Sequence, residues 1–543
     1  MTRKMRKENI LLWGLVLLFA VLMSVPFLIP HTGLVALFGF IPLLCMDRIA
    51  DMLGKKRVWI YHYSAFVLWN SFTTFWVCNA TVGGGIFAIL ANSLQMSTIF
   101  ALFRLSKKKF SGSLPYIFLA LGWIAWERFY FDAEISWPWL VLGNSFARTT
   151  WAVQWYEFTG TLGGSLWIWA CNLGLFGMMT ALSDGRWNCW NIKAKVSSVS
   201  GYVLLLIAPV IVSASVGKKY DDAMAGGEQL PVMIVQPNID PYNKFEAMSQ
   251  DQQNAILEAQ IAQKLDSRTD SLPMLIVAPE TFTGGVICGQ YNRSTTWRRF
   301  TSFLKNHPGV NMLFGASTYD YISSAEAPSY TARNVREGLW VESHNSALMI
   351  DGTARTEIFH KSKLVVAVEQ TPYPAIFCKI DDLLGGVMGR CVGQERISLL
   401  HVRDGVNGEN IPIGCAVCYE SVYGEYYTGY ILEGARAMTI ITNDAWWGNT
   451  PGYRQHLSYA SLRAIETRRA IARCANTGIS AIITPSGKII QPTPWWEPAV
   501  IESSIPLRDD ITFFVAHGDI TGRVCSFVFM LLMLALFVRI LKR

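Results

Sequence analysis

Apolar segments of membrane-crossing length recur along this chain, and one very long interval contains none. Crossing about 30 Å of hydrocarbon takes roughly 20 apolar residues in a helix. About eight such windows can be placed. Seven run near Ile10 to Leu28, Gly33 to Met46, Ser64 to Cys78, Gly84 to Phe103, Ser113 to Trp126, Thr159 to Leu182 and Val199 to Val216. The second, third and fifth are short by strict count. The eighth lies near the end, from Val524 to Val538, and about 300 residues separate it from the seventh. At 51% hydrophobic residues over 543, the chain is too apolar for an ordinary soluble protein and too long for one compact domain. The pattern predicts an α-helical transmembrane bundle of about eight spans. Residues 1–220 hold seven, 228–510 form one large inserted α/β domain, and 520–543 hold the last.

The formal net charge is +7. The basic residues gather beside the apolar windows: Arg3 to Lys7, Arg48 to Arg57, Arg104 to Lys109, Arg186 to Lys195, and Arg539 to Arg543. That placement is the signature of membrane topology and not of nucleic-acid binding. With eight spans every cluster falls on one side, which the positive-inside rule makes cytoplasmic. Both termini are then expected in the cytoplasm and the insert outside it. The first window lacks a small-residue cleavage site and is expected to stay as a helix.

The insert alternates short strands with helices. Leu230 to Ile239, Leu272 to Glu280, Val310 to Thr318, Asn345 to Asp351, Ile411 to Cys418 and Ala437 to Asp444 are apolar runs of strand length. Gln250 to Leu265 and His456 to Ala475 carry helical spacing, and "TPSGKII" reads as the turn of a late hairpin. Several strands lack alternation, as expected of strands buried on both faces of a layered α/β sandwich. There is no phosphate loop, no GxGxxG after a strand and no HExxH helix, and no repeat or low-complexity tract. No cofactor and no metal is expected.

Three strand ends carry chemistry: Glu280 in "VAPETF", Lys361 in "FHKSKLV" and Cys418 in "CAVCYES". A carboxylate, an ammonium and a thiol brought together would form a base, an oxyanion stabiliser and a nucleophile. Taken singly, each also reads as an ordinary residue: a buried small hydrophobe, a loop carboxylate, an exposed charge. Cys415 and Cys418 share the spacing of a redox or metal pair, but strand alternation puts them on different faces, and no second CxxC or His cluster accompanies them. Among eleven cysteines, Cys378 and Cys391 are close enough in sequence to leave a disulfide open.

Glu280, Lys361 and Cys418 in that order, with "ITNDAWWG" and "TRRAIARCANTG" after them, resemble the nitrilase or carbon-nitrogen hydrolase superfamily over most of the insert. With the flanking spans, "SWPWLVLGNSFA", "VQPNI", "APET", "HKSKLV", "CYES" and "NDAWWG" resemble the bacterial apolipoprotein N-acyltransferases over nearly the whole chain. The resemblance implies a nitrilase-like αββα domain on the periplasmic side of the bacterial inner membrane. It implies that a phospholipid acyl chain, from phosphatidylethanolamine as the expected donor, passes through a cysteine thioester to the α-amino group of a diacylglyceryl apolipoprotein. Cys418 is then the nucleophile, Glu280 the base and Lys361 the oxyanion lysine, supported by Glu369, Tyr419 and Glu420. Phe245, Trp139 and Trp446 are the expected lipid contacts, and Trp137, Trp139, Trp151 and Trp155 suit an interfacial belt. Gly160, Gly163 and Gly164 are read as sites of close helix packing. The sequence departs from the family where "VAVE" replaces the more usual "PFGE" before Glu369, and where Phe245 stands for a tryptophan. A membrane-tethered amidase or nitrilase with the same three residues is the alternative enzyme. A degenerate lipoprotein-binding domain is the non-enzymatic one, and the intact Glu, Lys and Cys speak against it.

Overall fold

The computed structural model describes all residues except 1–2, 221–223, 242–243, 245–246, 267–272, 384–385, 387, 405–409 and 543. The chain divides into two compact units: Met1–Lys219 with His517–Arg543, and Tyr220–Ala516.

The first unit is helical. Among the described residues six helices are long and apolar enough to cross a membrane: Arg6–Leu28, Gly33–Met52, Val82–Lys107, Tyr156–Ser183, Ile192–Lys218 and Ile520–Leu541. The other two expected windows fall largely on the helices Trp59–Thr74 and Leu114–Asp132, the first of which ends four residues short of Cys78. Length and composition do not count them as crossings. The former has 16 residues, and the latter carries Glu127, Arg128 and Asp132 in its last turns.

Polar contacts gather the basic clusters at one end of this unit. Arg104 and Lys107 pair with both Asp47 and Asp51, Arg48 pairs with Asp184, Lys55 donates to Asn9 at 3.0 Å, and Arg539 donates to the Lys109 carbonyl at 2.7 Å. Gly143 and Gly164 allow the backbone of the "SWPWLVLGNSFA" loop to touch the following helix. A Cβ on Gly143 would lie 1.9 Å from the Thr161 carbonyl oxygen, and one on Gly164 would lie 1.8 Å from the Tyr156 hydroxyl, which itself donates to the Gly143 carbonyl. Gly163 is equally crowded, by Thr159. Gly160 does something else: at φ 61° it kinks the helix Tyr156–Ser183 near its start, in a backbone conformation that suits glycine.

The second unit contains fourteen described strands. They are β1 Gln229–Gln236, β2 Met274–Val277, β3 Thr283–Ile287, β4 Val310–Ser323, β5 Arg333–Arg336, β6 Leu339–Asp351, β7 Thr356–His360, β8 Leu400–Arg403, β9 Asn410–Val417, β10 Ala437–Thr442, β11 Ile471–Ala475, β12 Ala481–Ile483, β13 Ile489–Ile490 and β14 Ala499–Pro506. One sheet runs β14-β1-β2-β4-β6-β5, with β3 beside β4 and β7 beside β6; the other runs β13-β12-β11-β10-β9-β8. Leu230, Val232, Leu275 and Ala347 of the first sheet share one buried cluster with Ile413, Ala416, Ile440 and Ala472 of the second, so the sheets pack face to face. On the first sheet's other side, Leu257 and Ile261 of the helix Gln250–Asp266 and Phe300 of the helix Thr295–Leu304 complete a second core. Helices Gly424–Leu432 and Pro451–Thr467 cover the second sheet with Tyr427, Tyr430, Ala460 and Ala464. The layers are αββα.

All six predicted strands form, and "TPSGKII" turns between β12 and β13. The helix expected over His456 to Ala475 is only half a helix. Arg468 at φ 52° ends it at Thr467, and Ile471–Ala475 instead pairs in parallel with β10 as a central strand. Apolar residues spaced for a helix there are buried on both faces of a strand, where periodicity does not separate the two.

Candidate active site

Cys418 follows directly on β9, a strand held in parallel register to β10, and opens the short 3-10 turn Cys418–Val422. Its φ is 53°, the left-handed region that a residue with a Cβ enters only at a cost of roughly 1–3 kcal/mol. The turn lifts the thiol off the strand axis. Sγ lies 3.2 Å from Thr442 Oγ1 at the end of β10. Burial pushes the thiol pKa well above its ordinary value, the Glu280 charge adds to the rise, and the Lys361 ammonium opposes it. The resting group is therefore a protonated thiol. Cys415 lies in the core between the sheets, where burial holds its thiol up at about 12. All eleven cysteines are free, Cys378 and Cys391 included.

Glu280 stands just beyond β2 and is 6% exposed; Lys361 stands just beyond β7 and is 1% exposed. Lys361 Nζ donates to Glu280 Oε1 at 3.3 Å and to the Glu369 carboxylate at 2.9 Å. Asn345, on β6, ties the same two acids together: its amide nitrogen donates to Glu280 Oε1 and to Glu369 Oε1, each at 2.7 Å. The Asn443 backbone N–H donates to Glu280 Oε2 at 3.0 Å, and the Val365 N–H donates to Glu369 at 2.8 Å. Burial works against the Lys361 charge, but Glu369 and Glu280 outweigh it and hold the pKa well above that of an ordinary lysine. The ammonium is permanent and aimed.

Glu420 is wholly buried and joins the Cys418 turn to the Lys361 loop. Oε2 accepts from the Val417 N–H at 2.7 Å and Tyr430 Oη at 3.3 Å; Oε1 accepts from the Ser362 N–H at 2.7 Å, the Lys363 N–H at 3.2 Å and Tyr426 Oη at 2.8 Å. Tyr419 is buried, its ring edge-on to Tyr423 at 5.2 Å.

A second polar cluster lies behind Cys418. His456 Nε2 lies 3.1 Å from the Cys418 carbonyl and Nδ1 lies 2.9 Å from Asp444 Oδ1, which also accepts from Thr442 Oγ1 at 2.8 Å. Arg473 donates to Asp444 Oδ2 at 2.7 Å. Burial works against the Asp444 charge, but Arg473 and His456 outweigh it and hold the carboxyl well below the usual range.

The fold thus brings Glu280, Lys361, Glu369, Cys418 and Glu420 together. Trp446 lies in the short turn Asp444–Trp447, one-third exposed. Trp139 is 1% exposed and sandwiched with Trp137 at 5.2 Å and Trp76 at 4.8 Å, a packing residue of the helical unit. Phe245 lies outside the described residues. Sequence reasoning missed Asn345, Asp444, His456 and Arg473. The one signal for Asn345 was an amide at the head of an apolar run.

Residues 234–510, about half of the chain, match the carbon-nitrogen hydrolase family model. The chain belongs to the carbon-nitrogen hydrolase family. Residues 14–174 match the family model described as the apolipoprotein N-acyltransferase N-terminal domain, so the carbon-nitrogen hydrolase region is accompanied here by a second, helical family region. The apolipoprotein N-acyltransferase of Chlorobaculum tepidum is 27% identical over 91% of this chain and 90% of its own length. That of Geobacter metallireducens is 25% identical over 94% and 92%. Among solved structures, a nitrilase-superfamily protein of Saccharomyces cerevisiae aligns with 55% of this chain and 97% of its own at 14% identity, with a TM-score of 0.36.

Proposed function

We propose that this membrane protein is an apolipoprotein N-acyltransferase that carries the acyl group on Cys418. The observation that carries the reading is the buried contact of Lys361 with Glu280 beside a Cys418 thiol that feels both charges, in a chain similar to such enzymes over nine-tenths of its length. In the first half-reaction Glu280 takes the Sγ proton as sulfur attacks an ester carbonyl of a phospholipid. The oxygen that becomes negative faces the Lys361 ammonium. Collapse breaks the ester C–O bond, Glu280 returns the proton to the leaving oxygen, and a lysophospholipid departs. In the second, the amine of a diacylglyceryl-cysteine attacks the thioester, Glu280 takes the amine proton, and the Cys418 thiol is regenerated. Glu369 and Asn345 hold the lysine and the base in place.

Two features support lipid substrates. The segment after Lys361 displays apolar side chains to the outside, with Val368 55%, Ile376 61% and Leu383 87% exposed, and Trp446 adds an aromatic one. We assign residues 1–220 and 520–543 to an eight-span membrane domain and 228–510 to a catalytic domain on the periplasmic face of a bacterial inner membrane. The gathering of basic clusters at one end of the helical unit supports that assignment. The shorter helices Trp59–Thr74 and Leu114–Asp132 then cross as well, and both termini lie in the cytoplasm.

The test is the intact mass of the purified chain after incubation with phosphatidylethanolamine. A hydroxylamine-labile acyl adduct on wild type and not on Cys418→Ala, discharged by a diacylglyceryl-cysteine peptide, is the expected result. Free fatty acid released without an adduct or transfer to the peptide would identify a hydrolase instead.

A further inference from the structure

The register of the first sheet assembles a group that the acyl-transfer reading does not use. Val286 on β3 is paired with Thr318 on β4, Thr318 with His344 on β6, and Ser346 with His360 on β7. Stepping two residues along a strand keeps a side chain on the same face. Asp320, His344, Ser346 and His360 therefore share one face of three adjacent strands, and Cys288, one residue past the end of β3, joins them. Asn345 and Lys361, the next residues after His344 and His360, point to the opposite face.

Within the patch, one ligand atom each from Cys288, Asp320 and His360 lies within 4.8 Å of the other two. Ligands around zinc at about 2.0–2.3 Å stand roughly 3.3–3.8 Å apart in a tetrahedral site, so closure onto an ion needs inward shifts of about an ångström or less. The donor set of thiolate, imidazole and carboxylate is the one zinc takes. Its outer partners are in place too. His360 Nδ1 is 2.7 Å from Ser346 Oγ, itself 2.7 Å from Thr318 Oγ1, which leaves Nε2 as the ligand nitrogen. His344 packs beside the same carboxylate. Both of its ring nitrogens face acceptors, the Val392 carbonyl at 2.9 Å and Asp320 Oδ2 at 3.1 Å.

We propose that Cys288 Sγ, the Asp320 carboxylate and His360 Nε2 bind a divalent ion of the zinc class. The ion clamps β3, β4 and β7 behind the residues that hold Glu280 and Lys361, and a water completes its coordination. The site stands whatever the acyl donor proves to be.

The experiment uses full-length protein in detergent, stripped with a chelator and titrated with Co²⁺ alone. The expected result is a thiolate-to-cobalt charge-transfer absorption that saturates at one equivalent and is displaced by Zn²⁺. It is absent from Cys288→Ser, weakened at least about tenfold in apparent affinity in His360→Gln, and unchanged in Cys391→Ser. Metal-free Cys288→Ser should melt with metal-free wild type, which separates a lost ligand from a lost fold. A wild type without the absorption, or the same absorption in Cys288→Ser, overturns the proposal.

Discussion

Two buried glutamates flank Cys418, and their surroundings differ in a way that burial alone does not express. Glu420 receives five donors, all uncharged: three peptide N–H groups and two tyrosine hydroxyls. A carboxylate offers about four lone-pair sites, so Glu420 has none left. Burial raises its pKa while those hydrogen bonds oppose the rise, which describes a structural strut between two loops. Among the described residues Glu280 receives three donors, from Asn345, Lys361 and Asn443. One site stays open, in the field of the Cys418 thiol. A buried acid becomes a candidate base when its partners stop one short of saturation and one of them carries charge.

The contrast fails outright if the two glutamates respond alike to removal of their charge. Glu280→Gln should slow acylation of Cys418 by roughly 10²–10⁴ without altering the melting temperature by more than a few degrees, as read by adduct mass against time. Lys361→Met should cost roughly 10²–10³ in the same assay, and an unchanged rate would remove the lysine from the oxyanion. Asn345→Ala, which loosens both acids while touching neither thiol nor ammonium, should cost about 10–100-fold. Glu420→Gln should act on the other axis: an amide turns donors toward donors, and each buried group left unpaired costs about 1–3 kcal/mol, read as a lower unfolding midpoint with a smaller kinetic loss than Glu280→Gln.

The smallest effect concerns acid. Asp444 has a depressed pKa in the fold, so its contribution to stability is complete above the unfolded value of about 4. It is lost as pH falls below that value. Asp444→Asn should be less stable at neutral pH and show a flatter acid limb in a melting series than wild type; parallel limbs would detach Asp444 from acid unfolding.

Glu280, Lys361 and Cys418 were legible because each is a polar residue where an apolar run stops, and strand ends are where a layered fold gathers side chains. Asn345 was not, because whether an amide at the start of a run faces water or two carboxylates depends on which strand lies beside it. The same limit hid Cys288, Asp320 and His360, which are far apart in sequence and meet only through the pairing of adjacent strands. The short helices Trp59–Thr74 and Leu114–Asp132 were visible as apolar runs, yet their length and charge leave them below the threshold the other six pass. Helical spacing over Ile471–Ala475 misled because a strand buried on both faces has no polar side to betray its period.

The left-handed φ of Cys418 carries a consequence for how such a chain changes over generations. Glycine accepts that backbone conformation without the strain a Cβ imposes, so the single replacement that silences the thiol also relaxes its turn. Inactivation at this position runs downhill for the backbone, and a lineage released from the need to acylate would find the dead form easy to keep. On the proposed role of Cys418, a thiol held at that corner marks a chain in which turnover outweighs the comfort of its own turn.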